Sequence, residues 1–179
     1  DGVTFRIARI EDGSRYLDRT TKNGGEIFVE DLEPGMWSVT EIATLPDHIL
    51  DETEYHVELF PGKTSELRLK NDKKPLLILS KIDADSQEPI PNTVLTVKAL
   101  DGTYQDDWKT GPDGTVSLRV DPGVYQVTEK SVPAPYYIPD KDADRTQTIT
   151  LGANDEKTLV FRNRKAPELT IFKENSITG

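Results

Sequence analysis

Apolar residues recur at every second position along most of the chain: Leu77 and Leu79; Leu95 and Val97; Val116, Leu118 and Val120; Tyr125 and Val127; Ile149 and Leu151. Successive side chains of an extended backbone point to opposite sides, so this spacing predicts strands with one buried face. Turn-forming clusters separate the runs, among them Asp101-Gly102, Gly111-Pro112-Asp113-Gly114 and Asp121-Pro122-Gly123. No stretch sustains a 3.6-residue apolar period over three turns, and the pattern predicts strands alone.

The pattern also repeats. LEPGMWSVTE from Leu32 to Glu41 matches VDPGVYQVTE from Val120 to Glu129, 88 positions later. PLLILSK from Pro75 to Lys81 matches PELTIFK from Pro167 to Lys173, and LRLKN from Leu67 to Asn71 matches LVFRN from Leu159 to Asn163, both 92 positions later. Three matches in one order predict tandem all-β domains, each an antiparallel β-sandwich of immunoglobulin-like size. Thr4-Phe5-Arg6-Ile7 aligns with Val94-Leu95-Thr96-Val97. Residues 1–73 are therefore expected to form a repeat lacking its initial strand, 74–166 a complete repeat, and 167–179 the first strand of a third. The segments Lys73-Lys74-Pro75 and Arg164-Lys165-Ala166-Pro167 read as linkers.

Composition narrows the chemistry. Of 179 residues, 35% are hydrophobic and 30% charged, with 12 Gly and 12 Pro, which suits turn-rich domains with thin cores. Acidic residues outnumber basic ones 32 to 22 for a net charge of -10, which argues against a nucleic-acid partner, since phosphate contacts need clustered Lys and Arg. The absence of cysteine removes disulfides, thiol nucleophiles and thiolate metal sites together. No apolar run approaches the ~20 residues of a membrane span and no leader opens the sequence, so no membrane anchor is expected in it and Asp1 is expected to begin inside a processed or trimmed chain.

Three polar residues fall where strand parity calls for apolar ones. Lys81 shares a face with Leu77 and Leu79, Glu129 with Tyr125 and Val127, and Asn163 with Leu159 and Phe161. A frayed strand end explains any one of them alone, because unpaired inward charges are costly. The parity recurs, however, in Trp37, Val39 and Glu41, in Leu67, Leu69 and Asn71, and in Leu169, Ile171 and Lys173. A desolvated lysine is a neutral amine nucleophile, a buried glutamic acid can stay protonated and polarise a carbonyl, and an asparagine offers that carbonyl with ammonia as leaving group. Together they allow a single-turnover Lys-Asn isopeptide bond driven by proximity.

At this point the chain resembles the Cna protein B-type (SpaA-like, prealbumin-like) domains of Gram-positive surface adhesins and pilins. The segment Lys81 to Ile90 is similar to that family's opening strand and turn. Tyr125 to Tyr136 resembles its E-box, departing at Ala134-Pro135-Tyr136. The resemblance implies that Lys81 and Asn163 form the bond and that Glu129 is the catalytic acid. In the first repeat Glu41 and Asn71 match the catalytic and bonding positions, although Trp37 replaces the E-box tyrosine, and Lys173 is a candidate partner for Asn71 at a second junction. It further implies a stalk or pilus-like module at the bacterial surface, cell-wall associated and extracellular, held against unfolding and proteolysis by internal cross-links, and neither an enzyme with turnover nor a cofactor protein.

The competing reading is a ligand-binding adhesin module, with Tyr104, Trp108, Tyr136 and Tyr137 forming a platform for a host protein or glycan. Weaker signals are expected to be structural. Asp140-Lys141-Asp142-Ala143-Asp144 has the alternating carboxylates of a calcium loop without its Gly or distal Glu and reads as a solvated acidic loop. His48 and His56 read as surface residues, and Ser14, Ser38 and Ser131 lack the setting of a catalytic serine. Expected partners are neighbouring repeats, through strand donation in which Leu169 to Lys173 of one molecule inserts into the first repeat of the next, and a host-surface ligand.

Overall fold

The computed structural model describes residues 1–11, 15–141 and 145–173, so Ser14 and Asp142 to Asp144 lie outside the described residues. Among the described residues the regular structure of any length is strand: β1 (Thr4–Arg9), β2 (Tyr16–Thr20), β3 (Gly35–Ala43), β4 (Glu54–Leu59), β5 (Leu76–Asp83), β6 (Val94–Ala99), β7 (Gln105–Lys109), β8 (Thr115–Arg119), β9 (Gly123–Ser131), β10 (Thr146–Leu151) and β11 (Glu156–Asn163). Among the described residues no helix is long and apolar enough to cross a membrane. The chain divides into two compact units.

The first unit comprises Asp1–Pro75 with two short segments, Arg119–Asp121 and Gly152–Asp155. Its sheet is ordered β2-β1-β3-β4 and is antiparallel throughout, with Ile7 opposite both Leu17 and Val39, and Trp37 opposite Val57. Among its described residues Ile7, Trp37, Pro75 and Val120 are buried apolar side chains, whereas Phe28, Phe60 and Leu67 are exposed. One expectation is corrected here: residues 67–71, whose parity predicts a strand, lie in no strand. The reason is pairing. In the second unit the equivalent stretch, β11, is held by β5, and no described residues of the first unit occupy the place of β5.

The second unit contains two sheets, β10-β9-β6-β7 and β11-β5-β8. The alternating apolar residues meet between them: Leu77 and Leu79 of β5, Leu95 and Val97 of β6, Leu118 of β8, Tyr125 and Val127 of β9, and Phe161 of β11 are all buried. Burial of this kind stabilises by about 1.5–3 kcal/mol for each large side chain and accounts for the two-layer arrangement. Pairing in the four-stranded sheet is antiparallel, but β11 runs parallel to β5, with Leu159 opposite Leu79 and Phe161 opposite Lys81. Periodicity reports which face is buried and carries no information on strand direction.

Gly114 fixes the position of β5. Its carbonyl accepts a 2.8 Å hydrogen bond from the Lys81 amide, its φ is +72°, and a Cβ added there would lie 2.6 Å from the Lys81 carbonyl oxygen. Gly114→Ala is expected to destabilise the second unit by about 1–3 kcal/mol, measured by urea unfolding, because it combines left-handed strain with a clash against rigid backbone.

Candidate functional site

The central strand β5 carries Leu77, Leu79, Lys81 and Asp83 on its buried face. Lys81 is 0% exposed, and across the two layers Glu129 on β9 is 3% exposed, as is Asn163 at the end of β11. The three side chains meet. Lys81 Nζ donates to Asn163 Oδ1 at 2.6 Å and lies 3.0 Å from Glu129 Oε1. Both carboxyl oxygens of Glu129 are buried, with this ionic contact to Lys81 beside them.

Burial governs the protonation of the pair. It pushes the Lys81 ammonium below the usual lysine range, against the opposing pull of Glu129, and pushes the Glu129 carboxyl upward, against the pull of Lys81 and Asn163. A neutral amine beside a protonated carboxylic acid contains the same number of protons as the ion pair and avoids two desolvated charges.

The remaining capacity of Asn163 is fixed by groups that the sequence does not advertise. Asn163 Nδ2 donates to the backbone carbonyl of Tyr137 at 2.7 Å, which turns Oδ1 toward Lys81. The preceding Tyr136 is tied down by its hydroxyl, which donates to Asp83 Oδ2 at 3.0 Å. Asp83 is held below the usual carboxylate range by the amides of Asp85 and Ser86 and by Tyr136. Its place on the same face as Lys81 is a parity signal that could have revealed it. The Tyr137 carbonyl, being backbone, leaves none.

Equivalent residues in the first unit are only partly assembled. Glu41 is buried on β3, and Asn71 Nδ2 donates to both its oxygens, at 2.7 and 2.8 Å, and to Thr44 Oγ1 at 2.9 Å. Lys173, the candidate partner of Asn71, is exposed and lies outside any strand. The other candidates have ordinary surroundings. His48 pairs with Asp47 and the exposed His56, on β4, with Glu54. Trp108 is on β7 rather than in a loop, and its indole donates to the Tyr104 hydroxyl at 2.8 Å while Tyr104 packs edge-on against Tyr125, so these rings serve the interior rather than a surface platform. Ser38 lies on β3 and Ser131 ends β9. Among the described residues no cluster of three His, Asp or Glu could hold a metal ion.

The second unit is thus a two-layer all-β domain whose first and last strands bring a buried lysine and asparagine together beside a buried glutamate. Residues 1–73 and 76–165 match the SpaA prealbumin-like fold domain, and the chain belongs to that family. No curated protein sequence matches the chain. Among solved structures it is similar to the shaft pilin SpaA from Lactobacillus rhamnosus GG (D295N mutant) at 13% identity and a TM-score of 0.55, covering 94% of this chain and 95% of that one. It is also similar to the Bacillus anthracis TIE protein at 24% identity and a TM-score of 0.49, covering 92% of this chain but only 31% of that one. A third likeness is to GBS52, the minor pilin of the Gram-positive pathogen Streptococcus agalactiae, at 14% identity and a TM-score of 0.47, covering 97% of this chain and 87% of that one. The likeness to the shaft pilin thus agrees with the family match in fold.

Proposed function

We propose that the chain is a repeat module of a cell-wall-associated surface stalk or pilus in a Gram-positive bacterium, its second unit locked by a Lys81–Asn163 isopeptide bond. The observation that carries this reading is the 2.6 Å approach of Lys81 Nζ to the carboxamide of Asn163 beside the buried Glu129. In the reaction Lys81 passes a proton to Glu129 and its lone pair attacks Cγ of Asn163. Glu129 gives that proton to Nδ2 of the tetrahedral intermediate and takes the second proton from Nζ, the Cγ–Nδ2 bond breaks, and ammonia leaves with a new Cγ–Nζ amide in place and Glu129 protonated. Proximity supplies most of the rate, since the groups are held on rigid strands and solvent is excluded. The module's partners are neighbouring subunits of its own type, reached by a strand that one chain gives to the next.

Intact-mass spectrometry tests the bond. The chain should weigh about 17 Da, one ammonia, less than its sequence for this bond, and Lys81→Ala should remove that deficit. A wild type with no deficit abolished by Lys81→Ala overturns the reading.

A further inference from the structure

The carboxamide of Asn163 is held at both of its ends. Its Oδ1 accepts from Lys81 Nζ at 2.6 Å, and its Nδ2 donates to the backbone carbonyl of Tyr137 at 2.7 Å. A carboxamide turned by half a circle would set Oδ1 against the Tyr137 carbonyl, acceptor against acceptor, and Nδ2 against the Lys81 amine. The loop carbonyl thus selects the orientation that presents Oδ1 to Lys81. In that orientation Nδ2, the atom that departs as ammonia when the bond forms, rests on Tyr137.

Tyr137 lies in a loop, so the place of its carbonyl depends on what ties the loop down. Two ties are backbone. The Ala166 amide donates to the Pro135 carbonyl at 2.7 Å and the Tyr137 amide to the Arg164 carbonyl at 3.4 Å, with Tyr136 bridged to Lys165 between them, so the loop is fastened to the chain just after β11. The third tie is a side chain. The Tyr136 hydroxyl donates to Oδ2 of Asp83 at 3.0 Å, and Asp83 lies opposite Asn163 in the β5–β11 register, on the buried face that carries Lys81. Asp83 is itself immobilised, because its Oδ1 accepts the amides of Asp85 at 2.8 Å and Ser86 at 3.1 Å. One loop is therefore tied by backbone to the strand of Asn163 and by the Tyr136 hydroxyl to the strand of Lys81.

We infer that the Tyr137 carbonyl is a catalytic group for the Lys81–Asn163 bond, holding Nδ2 as it leaves, and that Tyr136 is its positioning residue, acting through Asp83. The inference rests on the chemistry proposed for Lys81, Glu129 and Asn163. Once Lys81 has attacked Cγ and Glu129 has given its proton to Nδ2, that nitrogen carries positive charge until the Cγ–Nδ2 bond breaks. A hydrogen bond from a charged donor is about twice as strong as one from a neutral amide, so the carbonyl binds the leaving group more tightly in the intermediate than in the starting carboxamide. Only such a difference speeds the reaction. No bond of Tyr137 changes: ammonia departs with the two hydrogens of Nδ2 and the one from Glu129. The Tyr137 side chain is 47% exposed, so the leaving group faces a loop bordering solvent rather than the apolar core.

The full chain made by cell-free synthesis, quenched in acid at intervals and weighed intact, gives the rate of ammonia loss. Tyr136→Phe keeps the ring and removes the hydroxyl. It should form the bond about 10–10²-fold more slowly, the order of loss that misplacement of a reacting group brings, and reach the same final mass. A second measurement separates placement from folding. In Lys81→Met, which cannot react, Asn163 keeps its carboxamide, and heteronuclear NMR follows solvent exchange of its Nδ2 protons. Adding Tyr136→Phe should speed that exchange by about 5–10-fold, the worth of one hydrogen bond, while the backbone amides of β5 and β9 stay protected. Equal rates of ammonia loss in wild type and Tyr136→Phe overturn the inference and leave the bond standing. So does Nδ2 exchange that Tyr136→Phe does not change, or slow bond formation accompanied by lost protection in β5 and β9, which would make Tyr136 a folding residue. A wild type with no Lys81-dependent deficit overturns the bond itself, and this inference with it.

Discussion

Lys81→Ala lowers the melting temperature of the second unit by on the order of 20 °C and opens it to proteases that leave the wild type intact. The proposed bond between Lys81 and Asn163 would close nearly the whole unit into one covalent loop, and chain-entropy arithmetic for a loop of about 80 residues gives about 4 kcal/mol acting through the unfolded state. For a domain of this size each kcal/mol moves the midpoint by about 4–8 °C. The substitution adds a second cost, because truncating the wholly buried Lys81 side chain leaves a cavity beside Glu129. Differential scanning calorimetry with limited proteolysis measures both, and an unchanged melting curve would mean that the cross-link is not formed.

Glu129→Gln separates the catalyst from the bond. The amide keeps the size of the side chain and cannot shuttle a proton, so bond formation should slow by about 10²–10⁴-fold, the usual contribution of a positioned acid or base. Freshly purified protein should therefore show the full sequence mass for this site and lose ammonia only over long incubation. Until it does, the uncrosslinked unit holds a lysine that is 0% exposed with no carboxylate beside it, and should be less stable than the uncrosslinked wild-type precursor by about 3–5 kcal/mol. A Glu129→Gln chain that emerges already lighter by one ammonia would assign the proton transfer to another group.

Much of this arrangement is legible in the sequence because it follows from parity. Leu77, Leu79 and Lys81 share a face whatever the fold, and the match of Leu32–Glu41 to Val120–Glu129 locates the strand that carries each glutamate. What parity omits is anything made by backbone or by pairing partners. The Tyr137 carbonyl that orients Asn163 belongs to a loop whose path follows from tertiary contacts, such as the Tyr136 hydroxyl on Asp83. The parallel direction of β5 and β11 is invisible to a period of two. Residues 67–71 read as a strand and are not one, because strand formation requires a neighbour to bond with, which a local pattern cannot supply. Trp108 and Tyr104 fit a platform and the packing of the sandwich ends equally well by sequence, for a related reason: an aromatic's destination depends on which partner the sheet brings to it.

The parallel pairing of β5 and β11 has a mechanical consequence. Parallel neighbours send the chain in at one pole of the unit and out at the other, one strand length of about 26 Å away. With the proposed amide formed, tension applied at the two ends would enter at Leu76, run along β5 to Lys81, cross to Asn163 and leave, because Lys81 and Asn163 both lie toward the exit end of their strands. The hydrogen-bonded layers between those two residues are then shunted out of the load path. About 280 Å of extended chain that an unlinked unit could pay out, at about 3.4 Å per residue, stays withheld. A filament strung from such units behaves under stress as a strap of short covalent segments, and its extensibility is set by the linkers rather than by the folds.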